Sequence, residues 1–115
     1  MKKGLLFTAL CTSVFFLTQC RTARNTTTTA APNVTYTANI QPLMAANCSP
    51  CHFPDKGGKV EALNSYAPVK GHIDEILSRI ALHPGDKGFM PMKRARLSDS
   101  TINVFREWKA QGLAE

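Results

Sequence analysis

The chain has 115 residues, 43% of them hydrophobic, with 14 Lys and Arg against 8 Asp and Glu. That length holds one domain at most. Lys2, Lys3, Arg21 and Arg24 precede residue 34 and every acid follows it, so residues 34–115 are nearly charge-balanced and the overall basicity gives no support to nucleic-acid binding.

Met1-Lys2-Lys3 is a short basic start, followed by an apolar run from Gly4 to Leu17. The run is short for a bilayer span and gives way to polar sequence, which predicts a secretory signal and an exported protein. Leu17-Thr18-Gln19-Cys20 resembles a bacterial lipoprotein cleavage box, although Gln19 is larger than the residue usual before the cysteine. The resemblance implies that residues 1–19 are removed and that Cys20 carries a lipid anchoring the protein to a membrane of the cell envelope. Residues 20–33, with Thr26-Thr27-Thr28-Thr29-Ala30-Ala31-Pro32, have no apolar periodicity and read as a tether.

The folded domain is expected over residues 34–115. Ile40, Leu43 and Met44 stand at helical spacing in NIQPLMAAN, predicting a short helix over 39–47 with Asn39 as N-cap and Pro42 in its first turn. Residues 53–62 (FPDKGGKVEA) read as a loop, and Ser65 as the cap of a short turn over 66–69. Ile73, Ile76, Leu77 and Ile80 predict an amphipathic helix over 72–82, which HPGDKG at 83–88 breaks. The last helix is expected to have Ser98 as N-cap, Asp99 in its first turn, Ile102, Phe105 and Trp108 near one face, and Gly112 at its end. No segment alternates as a strand, so the domain is expected to be all-α. Long loops in so small a helical domain suit wrapping around a cofactor that replaces part of the core.

Between the first helix and the first loop lies Cys48-Ser49-Pro50-Cys51-His52. A structural zinc site needs four ligands, usually in two pairs, and no compact second pair exists. A thioredoxin-like dithiol belongs at a helix N-terminus near a βαβ unit, whereas Cys48 follows a helix and no strand is expected. A Cys48–Cys51 disulfide closes too small a loop to stabilise much. The spacing C-x-x-C-H fits covalent haem attachment: residues i and i+3 of one helical turn present sulfurs to the two vinyl groups, and the imidazole at i+4 reaches the iron. Cys48 and Cys51 are thus candidate haem thioethers and His52 the proximal iron ligand. Export agrees with attachment outside the bacterial inner membrane. After His52 the methionines are Met90 and Met92, the soft donors for the opposite face of the iron. His72 and His83 are the imidazole alternatives, both expected to face solvent.

The pattern Tyr36…Ile40-x-Pro42…Cys48-x-x-Cys51-His52, Ile73…Ile80, Met90-Pro91…Leu97-Ser98-Asp99…Ile102…Trp108…Gly112 resembles a small monohaem class I c-type cytochrome. The resemblance spans residues 34–115. It implies a cytochrome c-like fold around one haem c, with Met90 as distal ligand and Met92 as second choice. It further implies a terminal helix packed on the N-terminal helix, with Trp108 near the haem. Ile40, Leu43, Ile76, Leu77, Ile80, Phe89, Ile102, Phe105 and Trp108 are expected around the porphyrin. Lys87, Lys93, Arg94 and Arg96 flank the methionine loop, suited to a haem propionate or the acidic face of a redox partner protein. The implied function is electron transfer rather than enzymatic catalysis, as a carrier or a tethered redox subunit. The competing reading is a haem-based sensor or peroxidase-like enzyme whose distal ligand is displaced.

Overall fold

The computed structural model describes residues 33–115. The expected signal peptide, Cys20 and nearly all of the tether lie outside the described residues. Those described are all-α, with no strand among them, and no helix there is long and apolar enough to cross a membrane.

The first helical element begins earlier than expected. A π-helical turn, Tyr36–Ile40, runs directly into α1, Gln41–Asn47. Thr35 is the N-cap: its backbone is extended and its Oγ1 accepts from the Ala38 amide at 3.2 Å. Asn39, expected as the cap, closes the turn from inside, its Oδ1 accepting from the Thr35 amide at 3.0 Å. This reciprocal bonding satisfies two amides at the helix start. The next amides are taken by the chain's other end: Tyr36 N donates to Ala114 O at 2.9 Å and Thr37 N to Glu115 O at 3.4 Å. Pro42 stands in the first turn of α1, where the π-helical turn passes into the α-helix.

A 3₁₀ turn, Pro54–Lys56, interrupts the 53–62 loop. α2, Tyr66–Gly71, and α3, Ile73–Ile80, are separated by His72 alone. Ser65 is extended at the start of α2, but its hydroxyl makes no capping bond. α4, Asp99–Ala110, is capped as expected, Ser98 Oγ accepting from the Thr101 amide at 3.2 Å. Gln111 is its C-cap, and Gly112 follows in the left-handed conformation that most readily suits glycine.

α4 packs on the Tyr36–Ile40 turn and on α3. Ile40, Val69, Ile102 and Trp108 are wholly buried, each such apolar side chain contributing about 1.5–3 kcal/mol. Trp108 forms an aromatic cluster with Tyr36 and Tyr66, at centroid distances of 6.0 and 6.3 Å. The C-terminal backbone closes over this cluster: Trp108 Nε1 donates to Ala114 O at 2.7 Å and Tyr66 Oη to Leu113 O at 2.8 Å. Ile102, Phe105 and Trp108, three apart on α4, all belong to this core, and Phe105 also borders a cavity.

Candidate functional site

The cavity has a volume of about 340 Å³, within the usual range of roughly 300–1,000 Å³ for small-molecule and cofactor sites. The end of α1, the Cys48–His52 turn, the 60–63 segment, one face of α3 and the loop at 90–94 enclose it, with Leu97 and Phe105 behind. Cys48, Cys51, His52, Met90 and Met92 all line it.

Cys48 ends α1, its amide donating to Met44 O at 2.8 Å. The chain then makes a helical-type turn in which His52 N donates to Cys48 O at 3.1 Å. This brings both cysteines and the histidine to one wall. Both cysteines are free thiols. Burial pushes the Cys48 thiol up to about 11, against a smaller opposing pull from Arg94. A thiol held protonated at the C-terminal end of a helix is the reverse of an activated redox thiolate. Among the described residues, no three Cys, His, Asp or Glu side chains converge as a metal-binding group, which leaves a structural zinc site without its ligands.

His52 is oriented by its neighbour across the turn. Its Nδ1 lies 2.6 Å from Glu61 O. A carbonyl only accepts, so the proton is on Nδ1 and the Nε2 lone pair is free for a metal. Leu63 N donates to His52 O at 2.9 Å, fastening the same strip of chain. Gly58 lies against this turn so closely that a Cβ there would stand 2.4 Å from Cys51 O and 2.5 Å from Pro50 O.

Of the two lining methionines, Met90 is half-buried and packed against the core, whereas Met92 is 63% exposed. Pro91 is buried between them. The donors fit a covalent haem: two thiols at i and i+3, an imidazole with free Nε2, and a thioether in one largely apolar cavity. Such a group, if bound, would supply one-electron redox chemistry, with these side chains holding it.

Several expectations need correction. Of the residues expected around a porphyrin, Ile76, Ile80 and Phe105 line the cavity. Ile40, Ile102, Phe89 and Trp108 are buried away from its lining, and Leu43 and Leu77 are only partly buried. Trp108 packs instead in the aromatic cluster with Tyr36 and Tyr66. His72 is not simply solvent-facing: half-buried, it lines the cavity between two carboxylates, Nε2 3.5 Å from Glu61 and Nδ1 3.6 Å from Glu75. His83 is exposed and off the cavity, as expected.

The cations divide as well. Arg94 lines the cavity and donates to Ala46 O at 2.9 Å and Ser49 O at 3.1 Å. Arg96 pairs with Asp99 at 2.8 Å, and Lys87 and Lys93 are exposed. Sequence reasoning missed Arg79, Glu75, Met44, Val60 and Leu63 in the lining. For Arg79 a signal existed: it stands three residues after Ile76 and beside Ile80, on the flank of the apolar stripe of α3. Comparison of the chain with protein-family models, with curated proteins and with solved structures finds no match.

Proposed function

We propose that the protein is an electron-transfer protein carrying one covalent haem c, of the small class I cytochrome type, exported and held at the envelope through a lipid on Cys20. The carrying observation is that Cys48, Cys51, His52 and Met90 border one cavity while the Glu61 carbonyl leaves His52 Nε2 free. Cys48 and Cys51 are the thioether positions, His52 the proximal donor and Met90 the distal one. Met90 is preferred over Met92 because it is half-buried and packed against the core.

A site closed by two axial donors passes electrons and takes no substrate. Its exposed edge would meet a partner. Val60 and Met92 are the large hydrophobic residues exposed among those described, both at the cavity. Each has a lysine beside it, Lys59 and Lys93. That combination suits a redox partner with an acid-rimmed apolar patch, whose encounter rate falls with salt.

Haem staining of denaturing gels of membrane and soluble fractions tests attachment and anchoring together. Stain on a membrane-bound band of this chain is expected; an unstained band contradicts the proposal.

One observation favours the second reading, a sensor or peroxidase-like enzyme. His72 with Glu61 and Glu75 forms an imidazole–carboxylate group on the cavity, the kind of acid–base pair such chemistry uses. Carbon monoxide separates the two. Slow or negligible binding to the reduced protein at neutral pH is expected of the carrier, and rapid stoichiometric binding of the alternative.

A further inference from the structure

Met90 lies at the end of a loop that is well organised internally. His83 N donates to Asp86 Oδ2 at 2.8 Å, Asp86 N to His83 O at 3.0 Å, and Phe89 N to Asp86 O at 3.1 Å. Phe89 is buried. These bonds shape the loop but do not tie it to α3.

That tie converges on Arg79, in the last turn of α3. Its carbonyl accepts from Met90 N at 3.3 Å, and its Nη1 lies 3.5 Å from Gly88 O. Gly88 has φ +92, and a Cβ there would meet the guanidinium at 3.4 Å, so the loop approaches this side chain closely. The guanidinium is itself held from behind, Nε and Nη2 donating to Glu75 Oε1 at 2.9 and 2.6 Å. Arg79 and Glu75 both line the cavity.

We infer that Arg79 is a positioning residue for Met90: the Glu75–Arg79 pair is a brace that holds the Gly88–Met90 segment against the cavity. This rests on Met90 being the distal iron ligand. An exposed ion pair one helical turn apart does little for stability by itself. Here the same guanidinium also reaches the main chain two residues before the proposed ligand. A rigid fork with several donors can serve both contacts at once, which a point charge does poorly. Loss of the brace should leave the haem attached and the helices intact, but raise the fraction of molecules in which Met90 is off the iron. An added ligand reads that fraction directly, because its apparent affinity scales with the open population.

The experiment uses the full chain with attached haem, in the ferric state at fixed neutral pH. Imidazole is titrated while the methionine–iron charge-transfer band is followed. Arg79→Met is expected to keep wild-type haem stoichiometry and helicity but to lose the band at about tenfold lower imidazole, the scale of one charged hydrogen bond. Arg79→Lys should recover part of the shift. Glu75→Gln, at an exposed position, should move the midpoint the same way and keeps the test open if Arg79→Met folds poorly. Ile102→Val, in the core away from the cavity, should lower the unfolding temperature without moving the midpoint. Midpoints for Arg79→Met and Glu75→Gln within about twofold of wild type, or a shift for Ile102→Val as large as theirs, overturn the inference alone. Absence of the band from the unaltered protein overturns the Met90 assignment, and the inference with it.

Discussion

His52 Nδ1 donates to the main-chain carbonyl of Glu61 at 2.6 Å. This one bond fixes the tautomer and aim of the ring, the task an outer-shell partner performs at a metal-bound histidine. The acceptor is a backbone atom, so Glu61→Gln should preserve the bond and leave the absorption spectrum of the reduced protein unchanged. His52→Ala should abolish the six-coordinate spectrum. A Glu61→Gln spectrum as altered as that of His52→Ala would mean that the carbonyl does not orient the ring.

Gly58 should resist any side chain. A Cβ would meet Cys51 O and Pro50 O at 2.4 and 2.5 Å, both main-chain atoms with little freedom to retreat. Gly58→Ala is expected to cost about 1–3 kcal/mol as overpacking and to displace the turn carrying both thiols. Thermal unfolding and haem per polypeptide measure the two effects. An alanine variant with wild-type values for both would show that the turn is not built on this contact.

Met90 and Met92 separate cleanly by substitution. Met90→Ala should remove the methionine–iron band and lower the reduction potential, since a thioether ligand favours the reduced iron. Met92→Ala, at a 63% exposed position, should leave both unchanged. The reverse pattern would transfer the distal role to Met92.

Acid should weaken the Glu75–Arg79 brace. The hydrogen bond from Arg79, then its charge, holds the Glu75 carboxyl below the ordinary glutamate range, with His72 adding a smaller pull. A lowered folded-state value means that the stabilisation is present above the unfolded value and is lost as pH falls through the folded one. The difference in unfolding temperature between wild type and Glu75→Gln should therefore be small but present near neutrality and should close in acid. A difference independent of pH would show that the pair is not the source. Asp99, held low first by its hydrogen bond from Arg96 and then by that residue's charge, should behave alike in Asp99→Asn.

Local signals in the sequence located α3 and α4 within a few residues, because Ile73, Ile76, Leu77 and Ile80 and the Ser98 cap act over one or two turns. That a loop after α3 could carry Met90 towards the C-x-x-C-H turn was an expectation from the break at 83–88, and both line one cavity. The rest depends on contacts distant in sequence. The N-terminal turn starts at Tyr36 because its amides find Ala114 and Glu115 carbonyls, far beyond any local window. The aromatic cluster of Trp108 was not legible for the same reason: its partners Tyr36 and Tyr66 are brought together only by the fold. His72 stands at the cavity beside Glu61, a loop residue that carries no helical pattern.

The most direct test of the account is the intact mass of the purified chain after acid–acetone extraction, compared with the double variant Cys48→Ala with Cys51→Ala. The account predicts that the unaltered chain retains the mass of one haem through extraction and that the double variant retains none. A chain whose mass equals that of the bare polypeptide, when produced alongside a working haem-attachment system, would contradict it.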